Sequence, residues 1–367
     1  MTVTEYEAAG VRYDVLDAAK RVALDTASAT GNAWGAEPVL DSRGESAFIV
    51  RVNGATIATV LECLGTKSMI ARTYAEVAGV DLFDNIGFDA VASVVNDLVS
   101  VGALPLVLNA YFATGSAAWY ENEERHQKLV QGWQDGCNEA GAAWGGGESP
   151  TLADLVNKDE IEIAGSAVGF VPPTQEPVLG RQLAPGNEIV LVQSNGLHAN
   201  GASLVRLITK DNPQRYLTAL PSGRPLGEAV LDRSAMYVRL VAELGRSDDV
   251  AVTYYSHITG HGLRKLMRAT KSHTYRLHRL LDPPEVLVEL QRLAGMDQRA
   301  AYSTLNMGVG FVVFCGEGHG EKVVQLADEC GLRACVGGAV EEGPRRVVVE
   351  PLGITFDESE LQLRAGS

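Results

Sequence analysis

Three prolines within seven residues, Val171-Pro172-Pro173-Thr174-Gln175-Glu176-Pro177, break this chain near its middle. Proline has no backbone N–H and a fixed φ, so neither a helix interior nor an inner strand runs through such a segment. It reads as a linker and divides the chain into residues 1–171 and 178–367. The length of 367 residues agrees, because a single core rarely serves so many.

On both sides of the linker, apolar periodicity alternates between strand and helix. Residues 15–26 read as an amphipathic helix, 47–52 and 55–61 as strands joined by the turn Asn53-Gly54, and 69–79 and 89–102 as helices. Residues 104–112 read as a buried strand with Pro105 near its start, 121–141 as a long helix and 161–171 as a strand. Beyond the linker come a strand at 188–193, a helix at 202–209, a strand at 309–314, a helix at 320–330 and strands at 334–340 and 345–350. Such alternation predicts an α/β or α+β fold.

Composition narrows function by exclusion. Lys and Arg total 31 against 46 Asp and Glu, and the net charge of −15 leaves no broad basic face for a nucleic acid. No apolar run reaches the length of a membrane span. Acidic residues precede any apolar run in residues 1–7, unlike a secretory signal. The five cysteines are scattered and form no C-x-x-C pair, which fits free thiols in the cytoplasm and no structural zinc.

Five clusters have residue types that chemistry needs, and each has a plainer reading. Gly145-Gly146-Gly147-Glu148 is either a loop whose N–H groups converge on an anion, with Glu148 at a metal, or the flexible end of a helix. Ser194-Asn195-Gly196-Leu197-His198-Ala199-Asn200-Gly201 is a generic phosphate site with His198 and Asn200 as donors, or a tight turn.

Glu62 precedes Gly65-Thr66-Lys67, while Asp89 and Asp97 lie eight residues apart near one face of a helix. Asn96 and Asp97 sit in a run of β-branched residues, where a polar pair is unfavourable unless something binds it. Dispersed oxygen ligands with Lys67 and glycine loops suit a Mg²⁺-nucleotide, although any one acid alone reads as a cap or surface residue. His257-Ile258-Thr259-Gly260-His261 imitates half a zinc motif, but Thr-Gly opposes a helix, and a polar loop facing a substrate phosphate fits better. Asn306-Met307-Gly308-Val309-Gly310 is a tight turn or a ligand-facing loop.

Taken in order, these segments resemble the aminoimidazole ribonucleotide synthetase (phosphoribosylformylglycinamidine cyclo-ligase) family, as a divergent member. The resemblance starts at Tyr6-Glu7-Ala8-Ala9-Gly10-Val11 and continues through Leu64-Gly65-Thr66-Lys67 and the stretch from Ile86-Gly87-Phe88-Asp89 to Asn96-Asp97-Leu98. Gly102-Ala103-Leu104-Pro105, Tyr111-Phe112-Ala113-Thr114-Gly115 and Gly146-Gly147-Glu148 follow. His198-Ala199-Asn200-Gly201, His257-Ile258-Thr259-Gly260 and Asn306-Met307-Gly308 complete it.

The resemblance implies a two-domain α/β protein, homodimeric through N-terminal domains whose strands join into a shared barrel, with a mixed α/β C-terminal domain covering the site. It implies ATP and Mg²⁺ as cofactors and a small phosphorylated or amide substrate. The reaction would be an imidazole ring closure in purine biosynthesis: ATP phosphorylates an amide oxygen, and a nitrogen then displaces the phosphate. By carry-over, Asp97, His198 and Lys67 are catalytic candidates. Lys67, Thr66, Gly65, Asp89, Asn96, Gly146 and Gly147 are ATP-site candidates. Asp89, Asp97, Glu148 and Glu62 are metal candidates, and His198, Asn200, His257, Thr259 and His261 are substrate candidates.

The departures from the family pattern fall where ligands would bind. Glu62-Cys63 replaces Asp-Gly, Ala110 stands where the family has Asp, and Leu104 replaces Glu. His261 replaces a glycine of T-G-G-G, and Gly31-Asn32-Ala33-Trp34-Gly35-Ala36-Glu37-Pro38 replaces a Phe-bearing loop. Two other functions are therefore open: a kinase or dehydratase relative acting on another acceptor, and a non-catalytic nucleotide-binding partner.

Overall fold

The computed structural model describes residues 13–30 and 33–361; the Tyr6 to Val11 motif, and Gly31 and Asn32, lie outside the described residues. The N-terminal elements are α1 (Tyr13–Ser28), β1 (Glu37–Pro38), β2 (Phe48–Val52), β3 (Ala55–Cys63), α2 (Lys67–Ala78), α3 (Phe83–Val99), β4 (Leu104–Thr114), α4 (Glu123–Ala140), β5 (Ala143–Glu148) and β6 (Ile161–Val171). Their strands form one six-stranded sheet in the order β1-β2-β3-β6-β4-β5. All its pairings are antiparallel except that of β4 with β5.

The β2–β3 turn is the one the sequence announces. Val52 pairs with Ala55, and Asn53 and Gly54 take φ of 49° and 80°. Two positive φ values in a two-residue loop match the right-handed twist of the flanking strands. Pro105 lies at a register irregularity in β4, where its missing N–H is tolerated.

Along β6, buried and half-buried residues alternate, so one face of the sheet packs inward and the other does not. Helix α3 covers the inner face and is buried along almost its whole length. It crosses α4 at unusually short range. A Cβ on Gly132 would lie 1.7 Å from the carbonyl oxygen of Asp84, and one on Gly87 would lie 2.2 Å from that of Leu129. The outer face carries Leu61, 72% exposed and opposite Ser166, and further along β6 the half-buried Val168 and Phe170.

Two expectations need correction here. The glycine run is no loop: it extends as β5, a parallel edge strand on β4, so close that a Cβ on Gly147 would lie 2.0 Å from the Ala110 carbonyl oxygen. Glycine serves this backbone approach, and Glu148 is exposed at the strand end, where its carboxylate accepts from the N–H of Ser149. Helix α3 also starts at Phe83 rather than at residue 89, because the polar Asp84-Asn85 interrupts the apolar periodicity.

The C-terminal elements are β7 (Glu188–Gln193), α5 (Ala202–Thr209), α6 (Leu226–Val230), α7 (Val238–Arg246), β8 (Val252–His257), β9 (His273–Leu277), α8 (Glu285–Leu293), α9 (Gln298–Thr304), β10 (Val309–Cys315), α10 (Gly320–Glu329), β11 (Ala334–Glu342), β12 (Arg346–Val349) and β13 (Ile354–Asp357). They build a seven-stranded sheet in the order β13-β12-β9-β11-β7-β10-β8, in which β10 is buried throughout. The result is two mixed α/β domains.

The domains are joined by more than the linker. Residues 231–237 lie along α3, and polar side chains on one stripe of that helix receive their backbone. Asn85 Nδ2 donates to Leu231 O (3.0 Å), Ser234 N–H donates to Asp89 (2.6 Å), and Asn96 accepts from Tyr237 N–H (3.0 Å) while donating to Ala235 O (2.9 Å). From the other side, the Arg268 guanidinium donates to Gly44 O and Ser46 Oγ. These bonds satisfy groups that burial would otherwise leave costly.

Candidate active site between the two domains

A cavity of about 480 Å³ opens where the end of β3, helix α3 and the loops after β7 and β8 meet. Of the residues the sequence singles out, Glu62, Gly65, Thr66, Asn96, Asp97, His198, Asn200, His257, Thr259 and His261 all line it. Lys67, Asp89, Gly146, Gly147 and Glu148 do not.

Lys67 and Asp89 fall away from the cavity for a physical reason. Both side chains are fully buried, and Lys67 Nζ donates to Asp89, whose other oxygen accepts from Ser234 N–H. Each charge is consumed by the other, so the pair holds the fold and the domain contact together. Asn96 likewise spends its amide on residues 235–237. The polar pair Asn96-Asp97 is indeed bound by something, but for Asn96 the binder is the other domain.

Asp97 and His257 come from different domains and meet at 2.6 Å, Oδ1 to Nδ1, both largely buried. Burial alone would push the Asp97 carboxyl up, but the His257 hydrogen bond and the positive charges of Lys265 and Arg268 outweigh it. Asp97 is held well below the usual carboxylate range. Burial pushes His257 down, against the pull of Asp97, so its neutral form dominates. An ionised Asp97 fixes Nδ1 as the protonated nitrogen and leaves Nε2 with a lone pair. Glu62 is raised to about 8 by burial first, and then by the Asp97 charge and a hydrogen bond shared with it. At neutral pH the acid pair thus carries one proton between two carboxyl groups.

The loop after β7 is built to present His198. Its φ of 61° is left-handed, and Asn306 clamps the loop by donating to Gly196 O and Leu197 O and accepting from Ser194 Oγ and Gly308 N–H. Asn306 therefore forms the turn and also lines the cavity. Asn195 Oδ1 accepts from Ala235 N–H and sits 3.0 Å from His198 Nε2, which lies 3.3 Å from the same N–H, so Nε2 is held in this cluster and Nδ1 is left over. Burial pushes His198 down to about 3, so it is neutral.

Among the described residues, His198 Nδ1, Thr66 Oγ1 and Ser234 Oγ are buried at this cavity without a hydrogen-bond partner. Three such atoms around one cavity are what a polar ligand would satisfy. The sequence reading missed Ser234 and Lys265, the latter a buried lysine lining the cavity. No motif marks either one.

A second cavity of about 370 Å³ lies beside the first and shares Gly65 and Thr66 with it. Its walls include Met69, Tyr111, Leu152 and Val156. Among the described residues, no helix is long and apolar enough to cross a membrane.

Similarity to known proteins follows both domains. Residues 44–171 match the AIR synthase related protein N-terminal domain, and residues 184–350 match the corresponding C-terminal domain. The phosphoribosylformylglycinamidine cyclo-ligase of Methanocaldococcus jannaschii is 33% identical over 278 residues, covering 76% of this chain and 76% of that one. The enzyme of the same name from Bacillus subtilis is 32% identical over 308 residues, covering 81% and 82%.

Among solved structures, a HypE–HypF complex matches with a TM-score of 0.60 at 18% identity, covering 92% of this chain and 98% of that one. AaThiL complexed with AMPPCP and TMP matches with a TM-score of 0.58 at 14% identity, covering 86% and 90%. With both domain models matched in order along one chain, the protein belongs to the AIR synthase related family.

Proposed function

We propose that the chain is an ATP-dependent cyclo-ligase that converts formylglycinamidine ribonucleotide to aminoimidazole ribonucleotide in purine biosynthesis. The observation that carries the reading is the Asp97–His257 pair opening onto the interdomain cavity, in a chain 33% identical to a named cyclo-ligase. The reaction needs a poor leaving group made good and one proton removed. The amide oxygen attacks the γ-phosphorus of ATP, ADP departs, and a neighbouring amidine nitrogen attacks the activated carbon to expel inorganic phosphate. That nitrogen sheds a proton, and His257 Nε2, held by Asp97, is the base in position to take it. Neutral His198 hydrogen-bonds the acceptor through its unpartnered Nδ1 and orients it.

The nucleotide would occupy the second cavity, its base against Met69, Tyr111 and Leu152 and its phosphates at Gly65-Thr66, where the two cavities join. Once their shared proton has left, Asp97 and Glu62 suit a hard cation that takes few carboxylates and completes its shell with phosphate and water, so they would hold Mg²⁺. When bound, Mg²⁺ would offset phosphate charge. Glu148 is outside this arrangement. The domains divide at residues 172–177, and the apolar outer face of the N-terminal sheet, with Leu61 and Phe170, joins a second copy into a homodimer barrel. Free thiols at all five cysteines suit the cytoplasm.

Pure protein incubated with formylglycinamidine ribonucleotide, ATP and Mg²⁺ is expected to form ADP, phosphate and aminoimidazole product in equal amounts. Absence of both ADP and product sinks this reading. A second reading, a relative acting on another acceptor, is favoured by His261, a buried imidazole lining the cavity where the family keeps glycine. Acceptor-dependent ADP release with a different amide would select it.

A further inference from the structure

Lys265 takes no part in the reaction just described, yet it is an unusual side chain in the cavity. Lysine normally buries its stem and carries its ammonium to water. Here the residue is 6% exposed and lines the cavity wall. Among the described residues, its ammonium has neither a carboxylate at ion-pair distance nor a hydrogen-bond acceptor. The nearby acids are already engaged: Asp97 accepts from His257, and Glu62 shares its proton with Asp97.

The backbone holds Lys265 in place. Gly262 turns at a φ of +52°, so close to α9 that a Cβ there would lie 2.2 Å from the Tyr302 carbonyl oxygen. Arg264 donates to His261 O, Ser303 O and Glu360 O, and Ser256 Oγ donates to Lys265 O at 3.2 Å. A second cation, Lys20 of α1, stands exposed at the rim of the same cavity. Arg268 also lines the cavity, but three of its five N–H donors are spent on residues 44–46.

We propose that Lys265 is the anchoring cation of an oxyanion subsite in the interdomain cavity, which holds a phosphate group. A buried, pre-positioned ammonium without an ion-pair partner gains most from an anion that arrives with its ligand. The phosphate has two possible sources, the acceptor's own phosphate ester or the phosphate that the reaction releases. The proposal rests on the cavity being the acceptor site, as proposed above, but its test needs no turnover.

The test is calorimetric titration of inorganic phosphate into the wild type, Lys265→Met and Lys265→Arg, with ADP binding as the control. Lys265→Met is expected to weaken phosphate by about tenfold or more, the loss of one charge-assisted contact, while ADP affinity holds and Lys265→Arg recovers much of the loss. Equal phosphate affinity in wild type and Lys265→Met overturns the proposal, and so assigns Lys265 to charge balance alone. Should Lys265→Met not fold, acetic anhydride labelling of the wild type read by peptide mapping serves instead. Phosphate is then expected to protect Lys265, and unchanged labelling overturns the subsite.

Ribose 5-phosphate protecting better than inorganic phosphate assigns the subsite to the acceptor, and the reverse order assigns it to released phosphate. Lys265-dependent phosphate binding without cyclo-ligase turnover would leave the subsite standing and remove the cyclo-ligase reading. Turnover with Lys265-independent phosphate binding would do the opposite.

Discussion

Asp97 on helix α3 accepts a 2.6 Å hydrogen bond from Nδ1 of His257 on strand β8, across the boundary between two domains and 160 residues of sequence. The pair exists only while the domains are docked, so the proposed base is assembled by the same contacts that close the cavity.

Asp97→Asn removes the charge that selects the His257 tautomer. Acceptor-dependent ADP release is expected to fall by about 10²–10⁴-fold, the range for a lost acid–base group. Nucleotide affinity in the presence of Mg²⁺ should weaken, with a smaller change in the urea midpoint. Steady-state kinetics beside fluorescence titration of nucleotide would check this; an unchanged rate and affinity would remove Asp97 from the site.

Lys67 and Asp89 behave as a buried structural pair in this fold. Lys67→Met is expected to destabilise by about 3–5 kcal/mol, because Asp89 keeps a buried charge with only a backbone donor. The double variant Lys67→Met/Asp89→Leu should regain part of that loss. Denaturant unfolding of the three proteins measures it, and a fully stable Lys67→Met would return Lys67 to the list of ligand contacts.

Gly132→Ala puts a methyl group into the backbone of Asp84, 1.7 Å from its oxygen. Separating α3 from α4 should cost about 1–3 kcal/mol or more. The exposed neighbour change Gln131→Ala should stay within about 0.5 kcal/mol. Melting temperatures of the two variants would show whether close helix contact, rather than helix propensity, explains the glycine.

His198 gives the protein an acid-sensitive limb. Its value falls from 6.5 to about 3 on folding, mainly through burial, so below 6.5 the unfolded chain binds a proton that the native state refuses. Stability from this source is complete above 6.5 and declines as pH falls toward 3. At pH 5 the loss is about 2 kcal/mol, at about 1.4 kcal/mol per unit. Urea titrations at pH 7.5 and 5 should show a smaller difference for His198→Asn than for the wild type; an identical difference would contradict the assignment.

Leu61→Lys tests the proposed dimer. The side chain is 72% exposed on the outer sheet face, so the fold should tolerate a charge there. Sedimentation is expected to drop from about twice 39.1 kDa to 39.1 kDa. A wild type that sediments as a monomer would remove the barrel proposal.

Much of the architecture was legible in the chain because its signals are local. Asn53-Gly54 made a hairpin, Gly79 ended α2 in the left-handed region, and β6 kept the bounds read from its alternation. Where a local pattern has two physical causes, the reading slipped. Glycines that looked like an anion loop form a strand, since both need backbone without side chains. No element between residues 210 and 308, nor the returning strand β13, was legible: each is nine residues or fewer, too short for its pattern to stand out.

The sequence by itself determined the mixed α/β alternation, the proline break and the inventory of groups able to do chemistry, because each follows from the sterics and periodicity of neighbouring residues. Only the tertiary structure decided how those groups are used. Asp89 and Asp97 lie on one helix and look alike in sequence, yet one meets Lys67 and is silenced, and the other meets His257 at a cavity. A carboxylate's role depends on the partner and the burial that folding brings to it, and in both cases the partner comes from elsewhere in the chain.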